Sequence, residues 1–163
     1  GVHIISQQPL CLPALQIFKE NVEEKTMINR ELLIEKAFEA QKFCYTPYSN
    51  FNVGAALLAA DGTIYQGCNI ENASYTPTNC AERTAFFKAV SEGVRDFQAI
   101  CIVGGKDGKL TEYTAPCGVC RQVMMEFCNP KTFQIILAVD KERYEIYTLE
   151  ELMPLGFGPL NLV

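Results

Sequence analysis

No stretch of this 163-residue chain approaches the ~18 uninterrupted apolar residues that a membrane-spanning helix needs, so no such span is expected. Histidine is nearly absent: His3 is the only one. Metal or acid–base chemistry built on paired imidazoles is therefore not available. Basic residues are few and scattered, 14 against 19 acidic ones, for a net charge of −5. A chain that grips a nucleic-acid backbone concentrates Lys and Arg, so a small-molecule ligand is the better expectation. The N-terminus has no basic segment followed by a continuous apolar run, because LCLPAL is short and interrupted by Pro13. A reducing cytosolic setting is expected, in which cysteines stay as thiols. There is no internal repeat and no low-complexity segment.

What is present is an ordinary globular balance, 48% hydrophobic and 20% charged, with enough apolar material for one core. Residues 1–25 have weak periodicity and read as an extension; 26–163 read as one domain. Thr26 is expected to cap a helix running to about Cys44, with Met27, Ile34, Ala37 and Phe38 on its apolar face. Phe51 to Ala60 and a run ending near Cys68 read as two strands joined at Asp61-Gly62. Then come a polar loop over 70–78, a helix from Cys80 to Glu92 closed by Gly93, and an apolar strand from Phe97 to Gly104. A second helix is expected over Cys117–Cys128, strands over Phe133–Asp140 and Arg143–Thr148, and a short helix over Leu149–Met153. Alternating strands and helices imply an α/β sheet covered on both faces, and the opening hairpin makes that sheet mixed.

Eight cysteines stand at 11, 44, 68, 80, 101, 117, 120 and 128. Cys44, Cys68, Cys101 and Cys128 read as small buried apolar residues. Two segments carry chemistry together: Cys80-Ala81-Glu82, and Pro116-Cys117-Gly118-Val119-Cys120. Each sits where a helix is expected to start, and the positive end of a helix stabilises a thiolate, the form that binds zinc. Cys117 and Cys120 are one turn apart and share a face. On their own they fit a redox dithiol, a structural zinc site or a catalytic one. Cys80 would be a third ligand, and a gap of 36 residues leaves room for a strand and loop between. Three protein ligands leave a fourth position open, as catalytic zinc sites do. Glu82 taken alone is an ordinary helix residue. Two places after Cys80, its carboxylate can lie beside the metal without ligating it and move protons. Cys-x-Glu with Pro-Cys-x-x-Cys matches a known signature of zinc-dependent deaminases.

The segments YSNFNVGAALL (48–58), NIENASYTPTNCAERTA (69–85) and PCGVCRQVMMEF (116–127) closely resemble cytidine deaminases of the small homotetrameric, three-cysteine class. The resemblance covers about residues 26 to 160. It implies a three-layer α/β/α fold with a mixed five-stranded sheet, and one Zn2+ per subunit on Cys80, Cys117 and Cys120. It implies hydrolytic deamination of cytidine and deoxycytidine in pyrimidine salvage, with attack at C4 and Glu82 serving N3 and the leaving amine. Asn69 and Glu71, otherwise a polar loop, would bind the ribose hydroxyls. Phe51, otherwise strand core, would pack beside the base, and the backbone at Ala81 would meet the pyrimidine edge. Tyr75 and Phe157 would reach sites of neighbouring subunits. The sequence reads MPLGFGP there, with one residue more than the family pattern before Phe-Gly-Pro. Arg83 would offset the charge of three thiolates by donating to sulfur, with Arg121 in a lesser part. Rival readings are a deaminase of deoxycytidylate or nucleic acid, and a non-catalytic zinc-stabilised binding protein.

Overall fold

The computed structural model describes residues 27–162, so the expected extension over 1–25, Thr26 and Cys11 lie outside the described residues. Helix α1 spans Arg30–Gln41. Its cap is Asn29, whose side chain accepts from the Leu32 N–H at 3.0 Å, and not Thr26 as expected. Met27 therefore precedes the helix and is 82% exposed instead of joining its apolar face. That face is Leu33, Ile34 and Ala37, with Phe38 partly buried beside them. The helix also stops three residues short of Cys44. The Lys42, Phe43 and Cys44 N–H groups tighten onto carbonyls three residues back, and Tyr45 leaves to pair with Ile70.

Strands β1 (Phe51–Ala59) and β2 (Ile64–Cys68) form the expected hairpin, and the Asp61 carboxylate accepts from the Thr63 N–H in its turn. Helix α2 (Ala81–Ser91) follows a long loop. It ends at Gly93 with φ +90°, a left-handed residue that glycine adopts without steric cost. The Gly93 N–H returns to Val90 O and the Val94 N–H to Ala89 O, each at 3.0 Å. Strand β3 (Phe97–Lys106) is two residues longer than expected. Helix α3 (Gly118–Phe127) leads to β4 (Gln134–Ala138) and β5 (Tyr144–Thr148). Those last strands are shorter than expected because Asp140 accepts from the Glu142 and Arg143 N–H groups and makes a tight turn. Helix α4 (Leu149–Leu152) opens with a capping box between Thr148 and Glu151. A 3-10 turn over Pro159–Asn161, not anticipated, ends the described chain.

The sheet has the order β2-β1-β3-β4-β5. Only β3 and β4 are parallel, and α3 makes their crossover. Both faces are covered. Ala56, Ala99, Cys101, Val103 and Ile136 pack under α1. On the other face α2, α3 and α4 enclose Phe86, with Phe97 edge-on at 5.0 Å and Phe133 at 6.2 Å. Cys101 and Cys128 are buried as expected, but Cys44 and Cys68 are only half-buried. Cys44 lies past the helix end, where its thiol donates to Val53 O at 3.1 Å. No helix among the described residues is long and apolar enough to cross a membrane.

One contact fixes where α2 begins. A Cβ on Gly67 would stand 2.3 Å from the Ala81 carbonyl oxygen, so β2 and the first turn of α2 touch through backbone. Gly67→Ala should lower unfolding free energy by about 1–3 kcal/mol, as overpacking does. It should also weaken metal retention, because the displaced turn carries Cys80 and Glu82. Thermal unfolding and metal content of the purified variant check both parts.

Candidate active site

The sheet topology brings several chain ends to one edge. Strand β1 starts where β3 ends, with Phe51 opposite Lys106, and β2 ends beside the start of β1, with Cys68 opposite Gly54. The loops after β2 and β3 then deliver α2 and α3, whose first residues meet.

Cys80 and Cys117 are the N-cap residues of α2 and α3, both in extended backbone conformation. An N-cap side chain usually accepts from its own helix. Neither of these does, which leaves both sulfurs free to point elsewhere. The Cys80 and Cys117 Sγ atoms are 3.8 Å apart, those of Cys117 and Cys120 3.5 Å, and all three lie within 4.8 Å of one another. Zn–S bonds of about 2.3 Å in tetrahedral array place sulfurs about 3.8 Å apart. The donor set therefore fits zinc in both spacing and softness. Cys120 is buried, Cys80 half-buried and Cys117 exposed, so the cluster opens to solvent on the Cys117 side.

Around the sulfurs the charges are graded. The Arg83 guanidinium Nη2 donates to Cys80 Sγ at 3.3 Å and approaches Thr78 O at 3.5 Å, while its buried Nε has no partner among the described residues. The Cys80 thiol is held down to about 5, first by a hydrogen bond from Cys120 and then by Arg83 and Cys117. Cys120 is pushed up by the same contact. Glu82 is 4% exposed, and burial pushes its carboxyl up to about 7, with Cys80 adding to the rise. A carboxyl there can gain and lose a proton near neutrality. Arg121 does not approach the sulfurs: Nε donates to Pro116 O at 2.8 Å and Nη1 to Leu152 O at 2.7 Å.

Of the remaining candidate residues, Phe51, Asn69, Glu71 and Tyr75 stand around the head of β1 and the loop after β2, whereas Phe157 lies apart, on α3. The Glu71 carboxylate accepts from the Tyr48 and Ser49 N–H groups at 3.0 and 3.2 Å and from the Ser49 hydroxyl. That hydroxyl bond, ahead of the backbone ones, keeps Glu71 below the usual carboxylate range. Asn69 spans two β1 backbone groups, donating to Phe51 O at 2.8 Å and accepting from the Val53 N–H at 2.9 Å. Phe51 is exposed at the head of β1, outside the strand core. Tyr75 has φ +60°, is 72% exposed and meets Tyr48 edge-on at 6.1 Å. Phe157 is 57% exposed, with its carbonyl held by Gln122 Nε2 at 2.9 Å. The neighbouring Leu155 has φ +55° and stands fully in solvent. Sequence reasoning missed Ser49. Its signal was faint: a serine two places before the strand, between the tyrosine and asparagine of a loop.

The sequence profile of the family described as "Cytidine and deoxycytidylate deaminase zinc-binding region" matches residues 27–136. The cytidine deaminase of Sporosarcina psychrophila is 52% identical over 132 residues, 81% of this chain and 93% of that protein. That of Halalkalibacterium halodurans is 48% identical over 130 residues, 80% of this chain and 95% of its own length. The crystal structure of cytidine deaminase from Burkholderia pseudomallei superposes with a TM-score of 0.72 at 44% identity, covering 80% of this chain and all of that one. The Mycobacterium tuberculosis enzyme gives 0.69 at 36% identity, covering 81% and 99%.

Arg83→Gln should keep the fold but weaken zinc retention about 10–100-fold, the usual effect of removing a partner that hydrogen-bonds a ligand. Competition with a colorimetric chelator measures it. Unchanged affinity would mean that Arg83 plays no part in holding the metal.

Proposed function

The chain belongs to the cytidine and deoxycytidylate deaminase family, and on that premise we propose that it hydrolyses cytidine and deoxycytidine to uridine and deoxyuridine, releasing ammonia. The observation that carries this reading is one cluster: three cysteine sulfurs within 4.8 Å beside a carboxyl buried to 4% exposure. It is a zinc-dependent activity, and Cys80, Cys117 and Cys120 hold the ion. Zinc so bound supplies a Lewis acid and a water acidic enough to act as nucleophile near neutral pH.

The chain's own groups do the rest. Glu82 accepts a proton as water adds to C4, gives it to N3 of the ring, and carries a further proton to the amine as it departs. A carboxyl raised to about 7 can serve as base in one step and acid in the next. Arg83 donates to Cys80 and draws negative charge from the sulfurs, which keeps the ion electrophilic. The backbone at Ala81 sets the pyrimidine edge. Glu71, preset as an anion by Ser49, and Asn69, fixed on β1, receive the ribose hydroxyls. An anion at the sugar disfavours a phosphorylated substrate, so a nucleoside is preferred to deoxycytidylate or a nucleic acid. Phe51 covers the base and sugar from the head of β1.

Tyr75 and Phe157 project into solvent in the single chain, which supports their use by neighbouring subunits in a homotetramer. Residues 26–163 form the deaminase domain, with 1–25 as an extension, and the enzyme works in the cytosol in pyrimidine salvage.

Two measurements test the reading. Glu82→Gln should retain zinc and lose about 10²–10⁴-fold in cytidine turnover, the range for a positioned proton carrier. Spectroscopic conversion of cytidine to uridine, run with zinc analysis, reports both; full activity in the variant would remove Glu82 from the reaction. Light scattering of the purified enzyme should give the mass of four chains, and a stable monomer with full activity would exclude sites shared between subunits.

A further inference from the structure

Helix α3 carries more than two zinc ligands. Its first turn presents Cys117 and Cys120, and the next residue is Arg121, whose backbone N–H closes that turn on Cys117 O at 3.0 Å. The Arg121 side chain runs back along the helix. Nε holds the carbonyl of Pro116, the residue that leads into Cys117, at 2.8 Å. Nη1 holds the carbonyl of Leu152, the last residue of α4, at 2.7 Å. No carboxylate among the described residues pairs with this half-buried guanidinium. Both ties are to neutral backbone oxygens in different segments.

The turn at 116–117 needs an outside support. Pro116 has no N–H, and the Cys117 side chain faces the other sulfurs and does not cap its helix. The same helix face also seats the C-terminal segment. Gln122 Nε2 holds Phe157 O at 2.9 Å. A Cβ on Gly156 would stand 3.1 Å from Met125 Sδ, and one on Gly158 3.2 Å from Met125 Cε, so the segment lies flush on α3. Arg121, Gln122 and Met125 thus form a mount one turn beyond the metal-binding turn.

We propose that Arg121 is a positioning residue whose fork ties the Cys117 turn to the end of α4, so that zinc retention and the placement of Phe157 are set together by one side chain. The part concerning Phe157 rests on the reading above, that this ring meets substrate in a neighbouring subunit. Lysine cannot replace the fork, because one ammonium on a flexible stem does not hold two carbonyls in fixed, divergent directions.

The test uses the zinc-loaded enzyme and its Arg121→Ala, Arg121→Lys, Gln122→Ala and Phe157→Ala variants. Three quantities are read: the rate of zinc transfer to a colorimetric chelator, KM and kcat for cytidine with zinc in excess, and the melting temperature. Both Arg121 variants should release zinc roughly tenfold faster, the low end for lost support around a ligand, and should raise KM. Gln122→Ala should raise KM alone and release zinc at the ordinary rate. Recovery of both quantities in Arg121→Lys would overturn the proposal, since charge without the fork would then suffice. So would a lower melting temperature with zinc transfer and KM unchanged. Faster zinc transfer with ordinary KM in the Arg121 variants overturns the joint mount when Phe157→Ala itself raises KM. If Phe157→Ala leaves KM unchanged, it is the reading of Phe157 that fails, and the tie to Pro116 is judged on zinc transfer alone. Should Arg121→Ala not fold, Arg121→Lys and Gln122→Ala decide the matter by the same criteria.

Discussion

Two helices aim their positive ends at one point, and only negative charge at that point makes the arrangement favourable. Helix dipoles meeting head to head would repel across a few ångströms if neutral residues stood there. Cys80 and Cys117 cap α2 and α3 with thiols, the groups that bind a metal as anions, and Cys120 adds a third from the first turn of α3. The same positive ends lower the energy of the thiolates that a divalent ion needs. Helix placement and thiolate stability are linked through the same electrostatics. The backbone contact at Gly67 and the parallel crossover between β3 and β4 bring the two ends together.

That electrostatic centre has a sign problem. Three thiolates around a divalent cation leave an excess negative charge, which makes the metal a poorer Lewis acid. On the proposed reading Arg83 offsets that charge on the Cys80 side, where its Nη2 donates at 3.3 Å. Its neighbour in sequence, Glu82, would otherwise add to the excess. Burial resolves this by raising the Glu82 carboxyl until the neutral form is accessible. In the proposed mechanism, the order Cys-Ala-Glu-Arg puts ligand, proton carrier and counter-charge on a single helical turn.

The order and type of the helices and strands described between residues 30 and 152 were legible from periodicity and turn residues, because burial on two faces of a sheet imposes a strong pattern. Boundaries were less so. Asn29 displaces the expected Thr26 because its carboxamide reaches the Leu32 N–H, and Tyr45 leaves the first helix to bridge Ile70, a partner 25 residues on that no local pattern announces. The clustering of Cys80, Cys117 and Cys120 was readable because metal chemistry constrains spacing along the chain. Ser49 under Glu71, and the carbonyls of Pro116 and Leu152 under Arg121, were not. Backbone acceptors leave no trace in residue identity, and which carbonyl a guanidinium meets depends on how distant segments pack. Left-handed Leu155 belongs with these: a non-glycine residue there, just before the segment that lies on Met125, is a local exception that residue identity does not announce.

The contrast between two glutamates carries the argument from fold to chemistry. Glu71 and Glu82 are eleven residues apart, yet their environments push them in opposite directions. Glu71 receives donors from Tyr48 and Ser49 and remains an anion, suited to a permanent acceptor for hydroxyl groups. Glu82 is shut among apolar atoms and sulfurs on the first turn of α2, where the neutral and charged forms lie close in energy. Exchanging their surroundings would exchange their uses, because the carboxyl group itself is the same. The fold supplies that difference: a loop end after β2 that stays near solvent for Glu71, and a helix start pressed onto the sheet for Glu82.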